Sequence, residues 1–229
     1  MNISKRLMTV ASMITDGNCV ADIGTDHGYI PIYLVLERGF RRTIAMDVND
    51  GPLLRANENI KKYNVSDYVE TRLSDGLRAL KENEAQTIVI AGMGGMLINR
   101  IITQDITVAK SADELILSPH SDVALVRTCL RDNGFMIADE EMVCDEGKYY
   151  FVLKAVKGNM DFINEFELLY GKFLIHKKSG VFLEYLKDEY NKRECILNKM
   201  KHSDNEIRRS EILHEIDVIK EGLKNYESA

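Results

Sequence analysis

The chain is 229 residues long, 45% hydrophobic and 29% charged, with four cysteines and a formal net charge of −6. That length holds one well-buried domain plus an appendage at ~100–200 residues per domain, and the composition excludes a wholly disordered protein. No apolar run approaches the roughly 18 residues of a membrane span and residues 1–6 carry no signal-peptide hydrophobic block, so a cytoplasmic protein free of the membrane is expected. The acidic balance argues against indiscriminate coating of nucleic acid, although Arg41-Arg42, Lys61-Lys62, Lys177-Lys178, Lys192-Arg193 and Arg208-Arg209 leave room for a local basic face. Cys19, Cys129, Cys144 and Cys195 include no Cys-x-x-Cys, so they read as buried or inert thiols with no metal site or disulfide framework.

Residues 4–14 place Leu7, Met8, Val10, Ala11 and Ile14 on one helical stripe, which Asp16-Gly17-Asn18 ends. In Val20-Ala21-Asp22-Ile23-Gly24-Thr25-Asp26-His27-Gly28-Tyr29-Ile30-Pro31 an apolar run closes on an acid and breaks into a glycine-bracketed turn. It reads as strand, loop, helix, with Gly24 and Gly28 allowing a ligand against the main chain. The Gly-x-x-x-Gly spacing, with Asp26 and His27 inside it, differs from the Gly-x-Gly-x-x-Gly of dinucleotide sites and favours a cofactor without phosphates. A helix over 30–37, a strand over 43–48 and a helix opened by Pro52 and running to about Lys62 follow. The third strand spans 69–73, and Ser74-Asp75-Gly76 closes it and starts a short helix. The continuous apolar run 87–91 predicts the central strand. Gly92-Met93-Gly94-Gly95 and a helix to about Ile102 come next, then a strand over 115–118 and a helix over 121–131. Residues 135–143 and 149–156 predict a hairpin joined by Cys144-Asp145-Glu146-Gly147-Lys148. The fold class is α/β, a doubly wound Rossmann-like sheet with one antiparallel strand at its C-terminal end. Beyond it, Leu186, Tyr190, Leu197 and Met200, and then Ile212, Ile216, Ile219, Leu223 and Tyr226, predict two helices folded back through Lys201-His202-Ser203-Asp204-Asn205. The expected domains are therefore 1–157, and 158–229 as a coiled-coil-like helical hairpin.

In an open parallel sheet a ligand sits beyond the carboxyl ends of the strands, near the switch in strand order. Five such ends carry Asp22-Ile23-Gly24, Asp47-Val48, Asp75-Gly76, Gly92-Met93-Gly94-Gly95 and Ser118-Pro119-His120. An acid closing the second strand can accept both ribose hydroxyls, an acid after the third can accept from an adenine amine, and glycine after the fourth gives close backbone approach. Single strand-end aspartates also cap helices, so the order of the residues carries the reading. That order, over residues 20–156, resembles the class I S-adenosylmethionine-dependent methyltransferases. Ala21-Asp22-Ile23-Gly24-Thr25-Asp26-His27-Gly28-Tyr29, Ala91-Gly92-Met93-Gly94-Gly95 and Ser118-Pro119-His120, with the helical tail, look more closely like the bacterial tRNA adenine-N1 methyltransferases that modify position 22.

The resemblance implies S-adenosylmethionine as cofactor and tRNA as partner. By it, Asp22, Gly24 and Gly28 shape the methionine end, Asp47 binds the ribose, Val48 packs on the adenine, and Asp75 and Gly76 meet it. His27, Gly92 and Met93 join the cofactor-binding set. The fourth strand lacks the Asp/Asn-Pro-Pro-aromatic motif of many exocyclic-amine methyltransferases, which points away from the amine as nucleophile. Adenine N1 carries an in-plane lone pair, so its attack needs alignment more than deprotonation. Asp26 is then the candidate to stabilise the positive charge developing on the ring, and Tyr29 or His27 to stack on or hydrogen-bond the extruded base. His27 reads alternatively as a cofactor contact or as a cap on the helix that follows. Pro119, His120, Lys192, Arg193, Arg208 and Arg209 are candidate substrate contacts, with His120 as readily a turn residue, while Met93 and Met96 read as packing residues. A small-molecule methyltransferase on the same fold and a non-catalytic RNA-binding protein remain as alternatives, and the oligomeric state is open. The intact acids argue against the second alternative, and a helical tail of about 70 residues favours a large substrate.

Overall fold

The computed structural model describes residues 1–229 except 2, 18, 163, 201–205 and 229. Its first elements are α1 (Lys5–Ser12), β1 (Val20–Ile23), α2 (Tyr29–Arg38), β2 (Thr43–Asp47), α3 (Asp50–Lys62) and β3 (Val69–Leu73). They are followed by β4 (Thr87–Met93), α4 (Gly95–Gln104), α5 (Ile106–Ser111), β5 (Glu114–Pro119), α6 (Val123–Asp132), β6 (Phe135–Asp145) and β7 (Lys148–Lys157). The helices α7 (Glu165–Tyr170), α8 (Phe173–His176), α9 (Gly180–Lys199) and α10 (Glu206–Ser228) complete the chain. The described residues form two compact units, Met1–Asp161 and Phe162–Ala229. None of their helices is long and apolar enough to cross a membrane.

The first unit is a seven-stranded sheet in the order β3-β2-β1-β4-β5-β7-β6, in which β7 alone runs antiparallel to its two neighbours. β4 occupies the centre, as its unbroken apolar sequence predicts, because a strand covered on both faces needs apolar side chains in both directions. Val10, Ala11 and Ile14 from the α1 segment pack with Ile30 and Leu34 of α2 over Val20 and Val89. A second cluster joins Ile32 and Val35 of α2 to Ala56 and Ile60 of α3 over Ala45 and Val69. Each buried Val, Leu or Ile among these contributes about 1.5–3 kcal/mol relative to exposure. The β6–β7 connection is the two-residue turn Glu146-Gly147, with φ of 49° and 74°; this left-handed pair matches the twist of a hairpin.

The expected helix after Gly76 does not form; turns fill the stretch before β4. The Ser74 hydroxyl donates to the Gly76 carbonyl (2.9 Å) and accepts from the Ala79 N–H (3.1 Å), supplying bonds that a helix would otherwise make. Three helices that the periodicity does not signal, α5, α7 and α8, span only six, six and four residues, too short for an apolar stripe. Of the four cysteines, all free thiols, Cys19 is buried, Cys129 and Cys144 are half-buried and Cys195 is exposed on α9.

In the second unit, Arg193 of α9 pairs with Glu215 of α10, and Tyr190 receives Lys220 over its ring. Lower numbers on one helix thus meet higher numbers on the other, and the two are antiparallel. Gly222 of α10 has no room for a side chain, because a Cβ there would overlap the Phe166 ring. The expected turn at residues 201–205 lies outside the described residues.

Candidate active site

β1 pairs with β2 on one side and β4 on the other, and the chain leaves in opposite directions from this point, so the carboxyl ends of β1 and β4 border a crevice. Two features keep it open. Gly24 leaves β1 at φ 75°, and the β4–β5 register shifts between Ala91 and Met93, a bulge whose inserted residue is Gly92 at φ 85°. Two cavities meet here, both lined by Gly24, Ala91 and Gly92.

The cavity towards β2 and β3 has a volume of about 280 Å³ and is lined by Asp47, Val48, Asp75, Gly76, Met93 and Leu97, among others. Asp47 is buried at the end of β2. Its Oδ1 accepts from the Asn49 N–H at 2.8 Å, and Oδ2 has no partner among the described residues. Asp75 faces Arg100 (3.4 Å) and Arg78 (3.6 Å). Gly76, at φ 63°, lies so close to Ile101 that a Cβ would meet it at 3.3 Å. Val48, in the lining, leaves 57% of its surface exposed and gives the cavity an apolar edge.

The second cavity, about 310 Å³, runs towards α1 and α2 and is lined by Arg6, Asp22, Asp26, Tyr29 and His120. Asp22 is 5% exposed, and burial pushes its pKa up to about 6 against the opposing pull of Thr25 and Arg6, with a smaller upward push from Asp47. His120 donates its backbone N–H to the Met93 carbonyl (2.8 Å), and its ring tilts on Tyr150. Burial, then the charges of Arg6 and Lys148, lower its pKa, so the imidazole is neutral at pH 7.

Between β1 and α2 the loop is held from α3. The Asn59 side-chain amide donates to the His27 carbonyl (2.9 Å), and Arg55 donates to Asp26 Oδ1 (3.0 Å). His27 sits at φ 62°, a conformation uncommon for a side-chain-bearing residue, with its ring stacked on Tyr29 at 5.1 Å.

The structure thus gathers Asp22, Gly24, Asp26, Tyr29, Asp47, Val48, Asp75, Gly76, Gly92, Met93 and His120 around the two cavities. His27 and Gly28 border neither. Gly28 caps α2 in the left-handed conformation and admits Ala56 of α3, whose Cβ would stand 3.3 Å from an added Cβ. Pro119 is buried at the end of β5. Met93 is a wall of the first cavity, and a Cβ on Gly24 would overlap its methyl group. Met96 is 71% exposed, contrary to its reading as a packing residue, because the first turn of α4 points it outward. Lys192, Arg193, Arg208 and Arg209 belong to the second unit. Arg193 bridges Glu189 and Glu215, and Arg208 reaches Glu211 and Glu215, so both charges are already matched.

Sequence reasoning passed over Arg6, Arg55, Asn59, Leu97 and Arg100. Arg6 lies on a helix read only for its apolar stripe, and the others lie on helices whose faces point at the loops only once the sheet is assembled.

A sheet of this order, with acids at the ends of β1 and β2 and after β3 around a bulged switch point, defines a class I methyltransferase domain. The family model for the methyltransferase domain matches residues 3–153. A Bacillus subtilis (strain 168) relative, tRNA (adenine(22)-N(1))-methyltransferase, is 33% identical over 96% of this chain and 97% of its own length. A Streptococcus pneumoniae protein solved in complex with S-adenosyl-L-methionine is 35% identical, with TM-score 0.87 over 97% of this chain and 100% of that one. The structure of M. capricolum TrmK in complex with the natural cofactor product S-adenosyl-homocysteine is 28% identical, with TM-score 0.85 over 98% of this chain and 99% of that one. The chain belongs to the tRNA (adenine(22)-N(1))-methyltransferase family.

Proposed function

We propose that this protein methylates N1 of adenine 22 in tRNA, using S-adenosylmethionine, in the cytoplasm. The observation that carries the reading is the meeting of the two cavities at Gly24, Ala91 and Gly92, in a chain of this family. The residues present fit the cofactor. Bare backbone at Gly24 and Gly92 opens the junction, the free Oδ2 of Asp47 suits a ribose hydroxyl, and Val48 and Leu97 suit the two faces of an adenine. Asp75 with Gly76 takes the adenine edge.

When bound, S-adenosylmethionine supplies an electrophilic methyl group on a sulfonium. The chain's own task is alignment: the neutral N1 lone pair needs no base to free it, so the second cavity has to hold the adenine in plane with the junction. Tyr29 and the neutral His120 are the surfaces available to the extruded base, and Asp26 offers negative charge as the ring becomes cationic. His27 braces Tyr29 rather than meeting the base.

Nucleoside mass spectrometry of tRNA treated with the protein and cofactor tests the assignment, with 1-methyladenosine as the expected product. A methyl on cytosine, guanine or the exocyclic amine of adenine would overturn it. Asp47→Ala is expected to weaken S-adenosylhomocysteine binding by roughly 10-fold or more in calorimetry, the loss of a charge-assisted acceptor; undiminished affinity would remove Asp47 from the ribose site.

Residues 158–229 are the proposed tRNA-docking domain. They carry 12 Lys and Arg against 14 Asp and Glu, so attraction to phosphate depends on how the charges are segregated. Lys192, 62% exposed against 49% for Arg208 and 22% for Arg193, is the most solvent-accessible of these basic side chains, with Glu189 of its own helix as its partner. Lys192→Ala should flatten the salt dependence of tRNA binding by roughly 0.7–0.9 in log–log slope. Arg193→Ala should instead lower the melting temperature and leave the slope intact, since its guanidinium links α9 to α10. The reverse assignment of the two effects would refute this division.

A further inference from the structure

Met96, in the first turn of α4, leaves 71% of its surface exposed, more than any other large hydrophobic side chain described in the first unit. Leu125, in the first turn of α6, leaves 50% exposed. A single apolar residue on a surface is ordinary. This one is set apart by the backbone that carries it.

The turn leading into α4 is stitched to the loop between β5 and α6. The His120 N–H donates to the Met93 carbonyl (2.8 Å) and the Gly95 N–H to the Ser121 carbonyl (3.1 Å). Gly95 lies so close to that loop that a Cβ would stand 2.7 Å from the carbonyl oxygens of Ser121 and Asp122. His120 lines the second cavity, so the backbone presenting Met96 is fastened to the wall that is to receive the base. Asn99 follows three residues later on the same face of α4, and its side-chain amide donates to the Leu125 carbonyl (3.1 Å), which brings the start of α6 against that face. Arg100, four residues after Met96, keeps its side chain 60% exposed while facing Asp75 at 3.4 Å. Met96 itself lines neither cavity. It stands beside the opening on a rigid mount, with a flexible apolar side chain in water.

We infer that Met96, with Leu125 beside it, is the wedge that enters the base stack of the tRNA and fills the place left by adenine 22 as the base turns into the second cavity. This inference rests on the tRNA reading and deepens it by naming the residue that holds the RNA open. N1 lies on the Watson–Crick edge, so an adenine paired and stacked within a folded RNA hides the reacting atom and has to be extruded. Proteins that part a base stack do so with apolar side chains, methionine and leucine among them, because the faces of the separated bases lose less when an apolar group replaces their neighbour than when water does. Met96 has the required chemistry and stands next to the cavity that takes the base. The exposed Arg100 guanidinium, on the same side of the helix, puts positive charge where the phosphates flanking the gap would pass.

The test compares single-turnover methylation of two substrates by the full chain: a tRNA bearing adenine 22, and the same tRNA with an abasic residue in place of the nucleotide facing that adenine, so that the base is already unpaired. Met96→Ala is expected to slow the first by roughly 10- to 100-fold and the second by less than about threefold, since the abasic tRNA needs little help to open. Met96→Leu should keep most of the wild-type rate on both. With 2-aminopurine at position 22, the fluorescence rise that reports unstacking on binding wild type should shrink in Met96→Ala. Unchanged S-adenosylhomocysteine affinity in calorimetry shows that each variant is folded. An equal slowing of both substrates, or no slowing of either, would overturn the wedge, and a parallel loss of S-adenosylhomocysteine affinity would overturn it by placing Met96 in the cofactor's surroundings. If wild type methylates adenine 22 in neither tRNA, the tRNA reading itself fails and the wedge falls with it.

Discussion

Asp22→Asn is expected to make the fold more stable at pH 7.5 and to strip it of S-adenosylhomocysteine binding. Burial raises the Asp22 carboxyl to about 6 in the folded protein, above its ordinary value, so the folded state holds this proton more tightly than the unfolded chain does. A group raised in this way contributes its stability fully at low pH and loses it as pH climbs through the folded value, here between about 4 and 6. A displacement of about two pH units corresponds to about 3 kcal/mol. Above pH 6 the wild-type protein therefore carries an ionised, buried carboxylate whose nearest charges are Arg6 and Asp47, one helpful and one adverse. Asparagine keeps the shape and removes the charge. Its melting temperature should exceed wild type by roughly 5–10 °C at pH 7.5, and the two should converge near pH 4. The same titration bears on the ligand: protonating Asp22 removes a negative charge from the cavity wall where the methionine end of the cofactor is expected, so wild-type affinity for S-adenosylhomocysteine should fall roughly tenfold per unit below pH 6, while the Asn variant stays weak and flat. Equal melting temperatures at pH 7.5, or an Asn variant that binds normally, would show that Asp22 neither bears this strain nor meets the ligand.

That a residue destabilises the fold where it serves the site explains how much of the site is legible in the sequence. Asp22, Asp47 and Gly92 were legible because each breaks a local rule, and Asp75 because it continues the same order of residues past the third strand. An acid closing an apolar strand and a glycine at the end of the most apolar one conflict with propensity, and such conflicts concentrate at functional sites. The centre of the sheet was legible for the converse reason, β1, β2, β4 and β5 being mostly apolar runs buried on both faces and separated by ordinary turn residues. The helix expected after Gly76 failed because one hydroxyl, on Ser74, satisfies the backbone locally, a competition that periodicity cannot register. Met96 failed because an apolar residue in the first turn of a helix that opens at a ligand crevice has no neighbour to bury it. Arg6 was out of reach altogether. It is one basic residue on an amphipathic helix, the commonest of surface features, and only the folding of the β6–β7 hairpin beside it encloses Nη1.

Asp26→Asn is expected to lower kcat by roughly 10- to 100-fold while leaving S-adenosylhomocysteine affinity unchanged. Methylation at N1 turns a neutral adenine into a cation, and the Asp26 carboxylate is the acid on the side of the second cavity that Tyr29 shares. A unit charge pair about 4 Å apart is worth about 1 kcal/mol in water and about 4 kcal/mol at an effective dielectric near 20, and a half-open loop lies between these limits. Asp26 is 62% exposed, so solvent screens it, and its usefulness depends on being held in one orientation. Arg55 provides that hold, donating to Oδ1 from α3, the helix that also fixes the His27 carbonyl through Asn59. Arg55→Ala should accordingly reduce kcat by a smaller factor, roughly 3- to 10-fold, and the double variant should be no slower than Asp26→Asn alone, because a guanidinium that acts by orienting a carboxylate has nothing to orient once the charge is gone. Independent, multiplying effects would mean that Arg55 works on the RNA directly. A parallel loss of S-adenosylhomocysteine affinity in Asp26→Asn would move Asp26 into the cofactor's surroundings, and the positive charge on the methylated ring would then be left to solvent and to the tRNA's own phosphates.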